Sequence, residues 1–153
     1  MKKIDGVNIT KIESHIDERG FFREVLKKET IGGPSLFGQL SYSKVYQGTI
    51  KAWHGHKLQE QWTFIMTGFL EVRLFDDRST SPTYKNIMEF YTGDELEPII
   101  YSFPPGVLHG YKCIGGPALV LYVTSNVYDP DEEIRLNFND PKIGHDWNLK
   151  NIR

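Results

Sequence analysis

His54 and His56 stand one residue apart in the stretch Gly48-Thr-Ile-Lys-Ala-Trp-His54-Gly-His56-Lys-Leu-Gln-Glu60, and a third histidine, His109, follows Phe103-Pro-Pro-Gly-Val-Leu. Residues i and i+2 point the same way on a β-strand, so on a strand both imidazoles enter one cavity. Imidazole titrates near neutral pH, and such a pair suits either proton transfer or metal binding. Residue types alone leave both chemistries open. The remaining histidines, His15 and His145, lie in polar surroundings and read as ordinary hydrogen-bonded or surface residues.

The elements that must carry these residues are short. β-branched and aromatic runs recur between Gly, Pro and Asp punctuation at 39–46, 49–56, 62–66, 69–75, 99–103 and 118–124. Ser41-Tyr-Ser-Lys-Val-Tyr and Glu71-Val-Arg-Leu-Phe alternate in character, as half-buried strands do. Helical spacing is scarce, with one short possibility at 21–28. The expectation is an all-β sandwich or barrel with few short helices, with the jelly roll a natural candidate, and such barrels hold their ligand sites in the mouth.

Composition narrows the function classes. The chain has 153 residues, one domain's worth (1–153), and a net charge of −2 with mixed signs, so nucleic acid is not expected as a partner. A lone cysteine, Cys113, excludes an internal disulfide and suits a reducing compartment. Met1-Lys-Lys-Ile-Asp-Gly carries charge too early for a signal peptide, and no run approaches the roughly 20 apolar residues of a membrane span. A soluble cytoplasmic protein without membrane contact is expected.

The spacing Gly48-x5-His54-x-His56-x3-Glu60-x7-Gly68, followed by Pro104-x-Gly106-x2-His109, resembles the two motifs of the cupin superfamily. In metal-binding cupins those three histidines and the glutamate are the ligands. Further segments resemble the dTDP-4-dehydrorhamnose 3,5-epimerase family of metal-independent cupins: Asp17-Glu-Arg19-Gly-Phe-Phe22-Arg-Glu24, Asp77-Arg-Ser-Thr-Ser-Pro82-Thr-Tyr, Phe103-Pro-Pro-Gly-Val-Leu-His109-Gly-Tyr, Leu121-Tyr122-Val-Thr-Ser-Asn-Val-Tyr128 and Asn139-Asp-Pro-Lys-Ile-Gly-His-Asp-Trp147.

That resemblance implies epimerisation of a nucleotide-diphosphate sugar, most simply a dTDP-4-keto-6-deoxy sugar, at C3, C5 or both, without a cofactor. It implies His54 as the base, Tyr122 as the acid and His56 as an assistant. Arg19 and Lys51 fall on diphosphate-gripping arginine positions, and Phe22 and Glu24 on the nucleotide-contacting segment. Gln39, His109 and Tyr128 fall on the sugar pocket. The family also implies a homodimer whose Arg-Gly-x-Phe strand reaches the neighbouring site, and a setting in surface polysaccharide or deoxysugar biosynthesis.

Three departures stand out. The family's enolate-stabilising lysine aligns with Gln61. The aspartate that partners its base lies in a C-terminal segment that this chain, ending at Arg153, is expected to lack, which leaves Glu60, Asp140 and Asp146 as available carboxylates. The family's Arg-Gly-Leu-His reads Lys51-Ala-Trp53-His54 here, and His56 replaces a glutamine. The His-x-His-Lys stretch and the pair Glu60-Gln61 are similar to nucleotide-sugar 3,4-ketoisomerases. Ketoisomerase, metal-binding cupin and non-catalytic sugar-binding cupin are therefore the alternatives. Locally, Trp53 reads equally as a stacking or a structural residue, Tyr122 equally as an acid or a core residue, and Asp76-Asp77-Arg78 as a solvated turn with a local ion pair.

Overall fold

A computed structural model of the chain describes residues 2–29 and 37–147. Met1, residues 30–36 and 148–153 lie outside them, so the readings that rest on Met1 and on the chain's end at Arg153 do too. The described residues form ten strands: β1 (Asn8–Lys11), β2 (Ser14–Asp17), β3 (Gly20–Arg23), β4 (Gln39–Val45), β5 (Ile50–His56), β6 (Gln61–Asp76), β7 (Ile87–Gly93), β8 (Ile99–Phe103), β9 (Val107–Thr124) and β10 (Glu133–Arg135). The expected all-β jelly-roll class holds. The described residues contain no helix, so the few short helices, including the one suggested at 21–28, are replaced by extended chain.

At 21–28 the local turn decides. Glu18-Arg19 closes a hairpin in which Gly20 takes φ +133, a conformation that side-chain-bearing residues rarely adopt. Phe21 and Phe22 then pair with Ile16 and His15 instead of starting a helical turn.

Eight strands form one antiparallel sheet in the order β1-β8-β6-β9-β5-β10, with β4 paired to β9 and β7 to β6; β2 and β3 form a separate ribbon. The long strands β6 and β9 pair with each other along most of their length and hold the rest. Alternation explains how one sheet has two apolar faces. Leu70, Val72 and Leu74 point into the barrel with Ile65, Tyr101, Phe103 and Val120. Trp62, Phe64, Ile100 and Val123 form an outer cluster covered by Val25 and Leu26. Trp53, Phe75 and Leu108 form another, capped by Ile143 and Trp147. Trp53 is thus structural: it is 1% exposed, and its Nε1–H donates to the Phe138 carbonyl at 3.2 Å.

The 76–78 turn carries the expected ion pair, with Arg78 Nε 2.8 Å from Asp76 Oδ1. It is not solvated at Asp76, whose side chain is fully buried. Burial alone would raise that carboxyl. The Arg78 guanidinium and the Ser81 and Thr83 hydroxyls instead hold it well below the usual carboxylate range.

Candidate active site

Strand β5 presents the site. Lys51 and His54 are three residues apart and would face opposite ways on a regular strand. The pairing of β5 with β9 slips between them, and both therefore face the cavity. His54 lies opposite His109 in this pairing. Gly110 permits the approach, since a Cβ there would lie 2.4 Å from the Ala52 Cβ. The three imidazoles consequently cluster, with ring centres 6.0 Å apart for His54 and His109 and 5.7 Å for His56 and His109.

They line a cavity of about 250 Å³ together with Gln39, Lys51, Gln61, Tyr122 and Tyr128, so eight of the site residues expected from sequence meet in one place. Arg19, Phe22 and Glu24 do not. Arg19 is exposed and paired with Asp17, and Phe22 lies on the same ribbon, 63% exposed. Glu24 pairs with Lys27 at 2.8 Å.

The carboxylates come from an unexpected element. Strand β10 pairs with β5 so that Glu133 and Arg135 lie opposite His56 and His54. A carboxylate can only accept, so His54 Nδ1–H donates to Glu133 Oε1, at 3.3 Å. Glu133 also takes Arg135 at 2.9 Å and the Tyr128 hydroxyl at 3.4 Å. Burial pushes Glu133 up, but Arg135 and His54 more than offset it and leave the group below its ordinary value. Glu132, just before the strand, accepts His56 Nδ1–H at 2.8 Å and the Lys57 and Leu58 backbone N–H groups at 3.0 Å each. Neither glutamate was among the expected carboxylates. The one available signal was the acidic run Asp131-Glu132-Glu133.

The two imidazoles of β5 are not equivalent. With Nδ1 donating, each Nε2 carries the lone pair. The Gln59 amide nitrogen lies 3.2 Å from His56 Nε2 and covers it. Burial lowers the proton affinity of His54, against the opposing pull of Glu133, so the ring is neutral near pH 7. His109 is held well below its ordinary value, first by burial and then by the other two histidines. Its Nδ1 is buried without a well-formed hydrogen bond, the Val107 backbone being its polar neighbour.

Across the cavity, the Tyr122 hydroxyl meets Ser43 Oγ at 2.8 Å and the Tyr111 hydroxyl at 2.6 Å. Gln61, which aligns with the family's lysine, donates to Thr63 Oγ1 at 3.0 Å. Among the described residues lining the cavity, Lys51 is the only lysine or arginine.

The four-ligand metal set does not assemble. Gln61 faces the cavity, and Glu60, just before β6, lines an outer groove with Asn8, Thr10 and Trp62. Among the described residues no three His, Cys, Asp or Glu are grouped to hold a metal ion. The donors present do not fit such a centre.

A family model described as dTDP-4-dehydrorhamnose 3,5-epimerase matches residues 1–153. The chain is 39% identical over 150 residues to the spore coat polysaccharide biosynthesis protein SpsL of Bacillus subtilis, covering 96% of this chain and 98% of that one. Among solved structures it resembles NovW, a 4-keto-6-deoxy sugar epimerase from the novobiocin gene cluster of Streptomyces spheroides, with TM-score 0.87 and 26% identity over 97% of this chain and 78% of that one. It also resembles the Legionella pneumophila 3,5-epimerase RmlC in complex with dTDP-4-keto-L-rhamnose, with TM-score 0.86 and 25% identity over 98% and 82%.

Proposed function

This chain belongs to the dTDP-4-dehydrorhamnose 3,5-epimerase family, and from that premise we infer that it is an isomerase, a nucleotide-sugar epimerase of deoxysugar or polysaccharide biosynthesis. Its substrate is a dTDP-linked 4-keto-6-deoxy sugar, the class bound in the Legionella structure. The observation that carries the reading is one cavity with a neutral, carboxylate-oriented His54 on one strand and the Tyr122 hydroxyl on another.

C3 and C5 both flank the C4 ketone, so a proton on either is acidified by it. His54 Nε2 takes that proton, and the C–H electron pair passes into an enolate. Glu133 holds the ring in the correct tautomer and favours the imidazolium that forms. The enolate then takes the Tyr122 proton on its opposite face, which inverts the carbon and restores the ketone. Lys51 stabilises the enolate oxygen in place of the family's lysine, while His56, held by Glu132 and covered by Gln59, packs against His109.

Lys51 further serves the diphosphate. Arg19 and Phe22 act from the β2–β3 ribbon of a second copy, and Glu24 from the residue that follows it. On the isolated chain that ribbon exposes Ile16, Phe21 and Phe22 by 60–77% and stands apart from the cavity. A homodimer follows, and sedimentation showing a monomer at working concentration contradicts it. No helix among the described residues is long and apolar enough to cross a membrane, and the cytoplasm is the proposed compartment.

The His56–Glu132 pair favours a second reading, 3,4-ketoisomerisation by two imidazoles. NMR of the product formed from dTDP-4-keto-6-deoxyglucose decides. Epimerisation leaves the ketone at C4 with C3 or C5 inverted, whereas a ketone moved to C3 refutes it.

A further inference from the structure

Tyr122 needs more than a place in the cavity. It must give up a proton and carry a phenolate in a half-buried setting, where burial opposes the charge. Two hydroxyls from different strands converge on its oxygen, Ser43 from β4 at 2.8 Å and Tyr111 from β9 at 2.6 Å. Each can turn its O–H towards the phenolate, since a hydroxyl hydrogen rotates to suit its acceptor.

We propose that Ser43 and Tyr111 are positioning residues that hold the Tyr122 oxygen with two converging donors, so that Tyr122 can protonate the sugar carbon and keep the charge left behind. The assignment rests on the epimerase reading above. In the step it supports, the Tyr122 O–H bond breaks as the new C–H bond forms. The enolate pair makes that bond, and the negative charge moves from the enolate to the phenolate. Solvent later restores the proton.

The other titratable groups around Tyr122 cannot do this work. They are Tyr101 from β8, Lys51 and the three histidines across the cavity, Tyr128, and Glu133 from β10, to which the Tyr128 hydroxyl donates at 3.4 Å. Tyr101 is fully buried and held protonated far above its ordinary value, with Thr63 as its hydrogen-bond partner. His54 and His109 are neutral, while Lys51 and Glu133 oppose each other in sign. Tyr111 is suited to donate: burial, then the neighbouring Tyr122, keep its own proton firmly in place.

The test is fluorine NMR titration of a fluorotyrosine placed at position 122, in the otherwise unaltered chain and in Tyr111→Phe, Ser43→Ala and Ser43→Thr backgrounds. Losing one neutral donor should raise the phenol titration by roughly one pH unit in each of the first two. Ser43→Thr keeps the hydroxyl and should leave it where it was. In the unlabelled variants the alkaline limb of kcat should move up by the same amount, with kcat about tenfold lower and KM unchanged. An unmoved or lowered titration in either Tyr111→Phe or Ser43→Ala overturns the proposal. A raised titration in a chain that shows no epimerisation refutes the assigned reaction instead and leaves the two-donor arrangement standing.

Discussion

Glu133→Gln removes one charge from the base and almost no volume. Glu133 is 13% exposed and meets His54 Nδ1 at 3.3 Å, which is long for a charge-assisted bond. His54 is itself about a third exposed, so solvent screens part of the interaction. A hydrogen bond to a charged group contributes about 1.5–3 kcal/mol, and the length and screening here place it at the lower end. About 1.4 kcal/mol is a factor of ten, so kcat should fall on the order of 10- to 30-fold. The pH profile makes the sharper test. Glu133 raises the proton affinity of His54 while burial lowers it. Without the carboxylate the affinity drops further, and the acid limb of kcat/KM, set by the neutral base, moves to lower pH even as the plateau falls. The assay is initial rate against pH on dTDP-4-keto-6-deoxyglucose, with Glu132→Gln as comparison because it touches His56 instead. An unchanged plateau, or an acid limb moving upward, refutes the assignment of Glu133 to the base.

Tyr122→Phe should lower epimerised product by about a hundredfold or more while His54 still exchanges the substrate proton with solvent, which mass spectrometry in deuterium oxide reads as label without inversion. Lys51→Ala should raise KM roughly tenfold through the lost diphosphate contact and also lower kcat through the lost enolate stabiliser, the KM effect shrinking as salt is added because Lys51 is exposed and its charge is screened. Stability should depend on pH through His109, whose folded-state proton affinity is depressed by burial. The sign follows: the contribution is complete above the ordinary histidine value of about 6.5 and is lost as pH falls below it, at about 1.4 kcal/mol per unit. Urea midpoints should drop between pH 7 and 5, with His54 and His145, also depressed, sharing the slope. His109→Asn should flatten it.

The period of two in His54-x-His56 was enough to place both rings on one side of a strand, because side-chain alternation is a local property. Most of the cavity wall was legible for the same reason once the family segments were aligned. The partners of the histidines were not. Glu132 and Glu133 lie more than seventy residues downstream of β5, and only the β5–β10 register brings them there. Lys51 illustrates a second limit, since a slip in strand pairing, invisible in residue types, turns it towards the cavity. Glu60 illustrates the reverse. Its motif spacing suggested a ligand, yet β6 opens with Gln61 towards the cavity, and Glu60, just before the strand, lines the outer groove. Ser43 and Tyr111 carried no signal because alternating strand residues with hydroxyls are common.

The central claim is that His54 takes a proton from the carbon next to the ketone. Incubation with dTDP-4-keto-6-deoxyglucose in deuterium oxide, read by proton NMR at C3 and C5, tests it most directly. The account predicts loss of signal at one or both positions with the ketone held at C4, and no loss with His54→Ala. Exchange that persists undiminished in His54→Ala, or none in the unaltered chain, contradicts it.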